Sequence, residues 1–142
     1  MILVQKVVAH PWMCDVLGHL TTRHYMAMFD DASYHLLYDV FGWTGASDAD
    51  GKIAWADVRH IIEYRAEVTT GDVLEIRAEL IKIGTKSITI FYEMTNLGNN
   101  ETAATLECVC VLFDLQTRKS IELSEQLREL ASQHLIKTAD NG

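Results

Sequence analysis

Proline is almost absent from this sequence: Pro11 is the only one in 142 residues. There is also no Pro- or Ser-rich linker, repeat or low-complexity tract, so nothing marks an internal boundary and residues 1–142 read as one domain. Cysteine is scarce and odd in number. Cys14, Cys108 and Cys110 make no disulfide framework, and the last two alternate within one apolar run, so a reducing, cytoplasmic setting is expected. Positive charge is short as well, with 12 Lys and Arg against 20 Asp and Glu and a formal charge of −8. A nucleic-acid partner needs a basic face, which is missing, and any anionic ligand must find a local basic patch. No run approaches the ~20 apolar residues of a membrane helix. Met1 to Lys6 likewise lacks the charged start and long apolar centre of a signal peptide, so no membrane partner is expected. What the chain does have is apolar residues, 49% of the total. A chain of this length buries roughly 70% of its unfolded surface, enough for a core without metal or disulfide staples.

Periodicity gives the order of elements. Ile2 to Ala9 suits a first strand, and residues 10–19 break it with an irregular loop. From Thr22, the residues Tyr25, Met28, Phe29, Ala32 and Leu36 recur at helical spacing, and Met26, Leu37 and Val40 widen the stripe. Thr21 or Thr22 is placed to cap this helix and Gly42 to stop it. After a Gly/Asp-rich turn from Gly45 to Gly51 the period becomes two, and Val58, His60, Ile62, Tyr64, Ala66 and Val68 share one face of a long strand. Leu74, Ile76, Ala78 and Leu80 alternate next, then Ile88, Ile90, Tyr92 and Met94 after Gly84-Thr85-Lys86. A last strand runs from Thr102 to Phe113, and Leu127, Leu130, Ala131, His134 and Leu135 mark a short amphipathic helix. The order β-α-β-β-β-β-α predicts an α+β fold in which an antiparallel sheet, its strands joined by tight turns, wraps around one long helix. Such a sheet leaves edges and apolar surface open, so a homo-oligomer, at least a dimer, is expected, with sites at the subunit interface.

The densest polar cluster is His10, Cys14, Asp15, His19, Thr21, Thr22, Arg23 and His24, in the loop that enters the long helix. A helix start offers unpaired N–H groups and a positive dipole end, which polarise a carbonyl or hold developing negative charge. Asp15 supplies a carboxylate beside it, able to act as general base on water or to attack an activated carbonyl. Acyl transfer is therefore sensible chemistry for this loop. His10, Cys14 and His19 also raise a zinc reading, but their spacing matches no strong zinc signature, and no metal or other cofactor is expected. Cys14 is a poor nucleophile, because a neighbouring carboxylate raises rather than lowers a thiol pKa.

The run Asp15-Val16-Leu17-Gly18-His19-Leu20-Thr21-Thr22-Arg23-His24-Tyr25, followed by Phe29 and Asp30, resembles the signature of hotdog-fold acyl-CoA thioesterases, in their 4-hydroxybenzoyl-CoA thioesterase-like branch. Echoes follow in Glu63-Tyr64, Gly71-Asp72, the Gly84 to Ser87 turn and Thr117-Arg118-Lys119, so the likeness spans nearly the whole chain. The resemblance implies a hotdog fold, an acyl-CoA substrate, Asp15 as the catalytic carboxylate and the backbone N–H near Thr22 as the group polarising the thioester carbonyl. It also implies dimers or tetramers. Thr21-Thr22 departs from the Asn-Asn of many relatives, which bears on substrate more than on fold. Val68-Thr69-Thr70 stands where a proline is usual, which bears only on turn rigidity.

Other residues are weighed on that frame. His19 orients Asp15 or water, or merely satisfies loop carbonyls; His24 reads as packing. Asp30 and Asp31 read as hydrogen-bonding or interfacial groups, and Asp57, at a strand start, as a weaker candidate. Trp12 and Trp43 read as core or interface. Tyr25, Trp55 and His60 are expected to close a compact acyl pocket, and Lys86, Arg118 and Lys119 to receive the phosphates of coenzyme A. Against hydrolysis stands a non-catalytic acyl-CoA binding module of the same fold. A hydratase lacks the His and acidic set it would need.

Overall fold

The computed structural model describes residues 1–45 and 52–136, so most of the turn expected from Gly45 to Gly51 lies outside the described residues. Strand β1 (Ile2–Val8) leads through a 3-10 turn (Pro11–Met13) to helix α1 (Thr22–Phe41). Strands β2 (Ile53–Tyr64), β3 (Val73–Ile83), β4 (Ser87–Asn96) and β5 (Glu101–Asp114) follow, then a two-residue β6 (Lys119–Ser120) and helix α2 (Glu125–Ser132). The expected order holds, with β6 added. All pairings between these strands are antiparallel.

The spatial order is β1-β3-β4-β5-β2, with β6 on β5. Only β3, β4 and β5 form the chain of adjacent strands that tight turns would make of all four. After β2 the chain passes over two strand positions to begin β3, and this crossing, residues 65–72, is what meets the loop before α1. There Leu20 N–H donates to Val68 O (2.9 Å), Thr70 N–H to Gly18 O (3.1 Å), and Gly71 N–H to Ala9 O (2.8 Å).

Period two on β3, β4 and β5 aims Leu74, Ile76, Ala78, Leu80, Ile88, Ile90, Tyr92, Met94, Ala104, Leu106, Cys108, Cys110 and Leu112 at one face, and all are buried. The helix covers that face with Tyr25, Met28, Phe29, Ala32, Ser33, Leu36, Leu37 and Val40. The stripe expected from the sequence is thus the buried one, the antiparallel sheet wraps α1, and the hotdog fold is the one observed. Gly42 ends α1 in the left-handed region (φ 65°), where glycine bears no Cβ penalty, and its N–H donates to Tyr38 O (2.8 Å). Helix α2 is capped by Ser124, whose hydroxyl accepts from Leu127 N–H (3.2 Å). Arg128 ties α2 to the β3–β4 turn by donating to Gly84 O (2.8 Å) and Thr85 O (3.2 Å).

Strand β2 departs from its expected phase. Asp57 pairs with Cys110 and Arg59 with Val109, so Val58 is an extra, bulged residue, and it is exposed. Before the bulge Trp55 and Asp57 lie opposite the inward Leu112 and Cys110; after it His60, Ile62 and Tyr64 lie opposite Cys108, Leu106 and Ala104. Val58 therefore leaves the inner face and Asp57 joins it, in mid-strand rather than at a strand start. The strand also stops at Tyr64, so Ala66 and Val68 belong to the crossing.

Candidate active site

The loop before α1 is a short backbone ladder. Thr21 N–H donates to Met13 O (3.1 Å), Cys14 bridges Leu20, and Asp15 N–H donates to His19 O (2.9 Å). Asp15 closes its tip: its Oδ1 accepts from Leu17 N–H (2.9 Å) and His19 N–H (3.2 Å), and its carbonyl accepts from Gly18 N–H (3.0 Å). This is the Asx-type turn that aspartate makes with its own following backbone. Gly18 is needed there because φ is +77°. Oδ2 accepts no hydrogen bond among the described residues, and the side chain is exposed. One oxygen therefore fixes the turn while the other stays available for chemistry.

The N-cap of α1 is Thr21, but its hydroxyl does not cap. It donates to Met13 O (3.3 Å) and meets His24 Nδ1 (2.7 Å), which gives His24 a structural partner. Neither Thr22 nor Arg23 has an acceptor for its N–H among the described residues. Open donors at a helix start carry the positive end of the helix dipole. Beside them a cleft of about 380 Å³ is lined by His19, Thr22, Tyr25, Tyr64 and the 65–68 segment. Tyr25 and Tyr64 meet edge to face with centroids 5.0 Å apart. Burial pushes the Tyr25 phenol up, Tyr64 adds to the rise, and a backbone hydrogen bond at Val68 opposes it.

The other expected site residues are dispersed. The His19 ring turns to Glu67 (Nε2 to carboxylate 3.7 Å), so only its backbone N–H orients Asp15. Trp55 stacks on Phe41 (5.0 Å) and, with Trp43 and Leu127, lines a separate cleft of about 290 Å³ at the far end of α1. His60 lies between, so Tyr25, Trp55 and His60 do not close one pocket within a chain. The reason is geometric: Trp55 and Tyr64 are nine steps apart along β2, about 30 Å of extended strand. Lys86 sits in the β3–β4 turn, and Arg118 and Lys119 follow β5, with Arg118 over the Phe113 ring (5.4 Å). These turns mark the sheet end opposite the Asp15 loop. The three residues of the zinc reading do not converge either: the His10 ring stacks on Trp12 (4.3 Å), the Cys14 thiol points to His10 O (3.5 Å), and His19 faces Glu67.

Residues 9–130 match the thioesterase-like superfamily, with the Asp15 loop, α1 and all five long strands but β1 inside the match. The chain belongs to that superfamily. It is 28% identical over 121 residues to the long-chain acyl-CoA thioesterase FadM of Escherichia coli K12, covering 84% of this chain and 89% of FadM. Among solved structures it superposes on a Staphylococcus aureus protein in complex with CoA, with TM-score 0.83, 16% identity and coverage of 98% of this chain and 90% of that one. The 1,4-dihydroxy-2-naphthoyl-CoA thioesterase of Synechocystis matches with TM-score 0.79, 16% identity and coverage of 92% and 95%.

This thioesterase-family chain also holds a second polar cluster. His60 Nε2 lies 3.1 Å from Asp57 Oδ2, and the Cys108 thiol donates to Asp57 Oδ1 (3.5 Å). Asp30 and Ser33 of α1 and Tyr92 of β4 line the tight space around them, with the apolar Met26, Phe29 and Leu106. Burial raises the Asp30 carboxyl, the Asp57 and Asp31 charges add to it, and His60 opposes. A hydrogen bond with Cys110, then burial, then the Asp57 charge hold the Cys108 thiol far above its ordinary range. The sequence reading missed this cluster because the bulge at Val58 hides that Asp57 and His60 share a face and because Cys108 lies 51 residues from Asp57; the available signal was a histidine in an otherwise apolar alternation.

Proposed function

We propose that this chain hydrolyses an acyl-CoA thioester to the free acid and CoA. Asp15, through its outward Oδ2, activates a water or attacks the thioester carbonyl itself, and the N–H groups at Thr22 and Arg23 hold the developing oxyanion. The observation that carries this reading is the ladder from Met13 to Thr21, which holds one free carboxylate oxygen on the short loop leading into an uncapped helix start. The FadM likeness supports CoA thioesters as the substrate class. The steps need only a carboxylate, water and backbone donors, and no cofactor.

The working unit we propose is a homo-oligomer built on a dimer. Strand β2 is an open sheet edge that exposes Val58, Ile61 and Tyr64, and α1 exposes Tyr34 and Tyr38. Lys86, Arg118 and Lys119, at the opposite sheet end from Asp15, then serve the CoA phosphates of a site whose carboxylate belongs to another copy. The cytoplasm is the compartment we infer, from cysteine usage alone.

Release of free thiol across a panel of acyl-CoAs tests the activity. Turnover on at least one member is expected. Tight binding of acyl-CoA with no turnover on any would instead make the chain a binding module.

A further inference from the structure

We propose that Asp57, His60 and Cys108 form a site for a divalent transition-metal cation, zinc foremost, between β2, β5 and α1. The three donor atoms, one oxygen, one imidazole nitrogen and one sulfur, lie within 4.8 Å of one another. Around a tetrahedral zinc, bonds of about 2.0 Å to oxygen and nitrogen and 2.3 Å to sulfur put neighbouring donors roughly 3.3–3.6 Å apart. His60 Nε2 lies 3.1 Å from Asp57 Oδ2 and Cys108 Sγ 3.5 Å from Asp57 Oδ1, so the two partners meet different oxygens of the one carboxylate. With one carboxylate oxygen as the ligand, the three donors must draw together from within 4.8 Å to form a coordination sphere.

Two further features point to the same place. Residues three apart on a regular strand face opposite ways; the bulge at Val58 is what turns Asp57 and His60 to one side. And the Tyr92 hydroxyl, on a side chain with no solvent exposure, lines the same space and has no hydrogen-bond partner among the described residues. An orphaned buried hydroxyl is costly and marks an unmet polar demand in this space. Three protein ligands leave a fourth coordination position open.

The charge balances too. When the cation binds, Cys108 gives its proton to solvent as the metal–sulfur bond forms, so a thiolate and a carboxylate neutralise a dication. Nitrogen and sulfur donors together suit zinc or cobalt rather than magnesium or calcium. Asp57 and His60 are each about one-third exposed (34% and 32% of the side chain), so the two ligands are accessible to a cation in the single chain. Bound metal then clamps the open edge strand β2 to β5.

The test uses the purified full chain, stripped with a chelator and titrated with zinc chloride or cobalt chloride. One metal per chain, with a sulfur-to-cobalt charge-transfer band, is expected in the natural protein and in Cys14→Ser. The band should vanish in Cys108→Ser, and affinity should fall at least about tenfold in His60→Gln, a change at a partly exposed position that the fold tolerates. No zinc retained by the natural protein, cobalt bound without a sulfur band, or undiminished affinity in His60→Gln each overturns the site and leaves Asp57 and His60 as an ion pair only.

Discussion

Asp57 and His60 meet at 3.1 Å on one strand because Val58, between them, is pushed out of register. A single inserted residue therefore decides which polar groups the inner face of β2 presents. It also decides how far the sequence could be read. The helix and the meander β3–β4–β5 were legible because apolar residues recur at 3.6 or 2 without interruption, so Phe29 or Ile90 is placed inside by spacing alone. On β2 the parity changes at Val58, and alternation counted through it puts Val58 inside and Asp57 out. Its pairing with β5 and the junction of Asp57 with Cys108, 51 residues away, are long-range facts that local pattern does not carry. The Asp15 loop was legible as a candidate because an acid before a helix start is a local arrangement. The dispersal of Trp55, His60 and Lys86 was not, since it follows from where each strand end lies.

Core packing gives a stability prediction. Phe29 is fully buried and meets Tyr92 edge to face at 6.2 Å. Phe29→Ala should destabilise the chain by about 3–5 kcal/mol, read as a lower urea midpoint with unchanged slope.

The Asp15 turn depends on Gly18. A side chain at φ +77° is strained, so Gly18→Ala should cost about 1 kcal/mol or more and lower kcat by displacing the carboxylate. Leu17→Ala, at a position 75% exposed, is the matched control and should leave stability within about 0.5 kcal/mol. Equal kcat in both variants would mean the turn does not position the reacting group.

Helix α2 packs on the core through Leu127 and the buried Ala131, and Arg128 pins it to the β3–β4 turn. Arg128→Ala removes two donations to the Gly84 and Thr85 carbonyls, and about 1–2 kcal/mol of local stability should go with them. Hydrogen exchange should accelerate in α2 and at the β3–β4 turn, and remain slow in β4 and β5.

The cations at the far sheet end can be tested by mixing chains. Lys86→Ala with Arg118→Ala should raise KM for a coenzyme A thioester but not for a short pantetheine thioester. If carboxylate and cations come from different copies, mixed oligomers of this variant with Asp15→Asn should recover part of the normal KM; no recovery places both in one chain or makes the cations solvating only.

The most direct measurement is the rate of free-thiol release by Asp15→Asn beside the natural protein on the best acyl-CoA substrate. Asparagine keeps the Oδ1 acceptor that holds Leu17 and His19, so the turn survives while the charge is lost. The account predicts that kcat falls by orders of magnitude while acyl-CoA still binds. A variant that turns over at close to the natural rate would contradict it and leave Asp15 as the residue that shapes the loop.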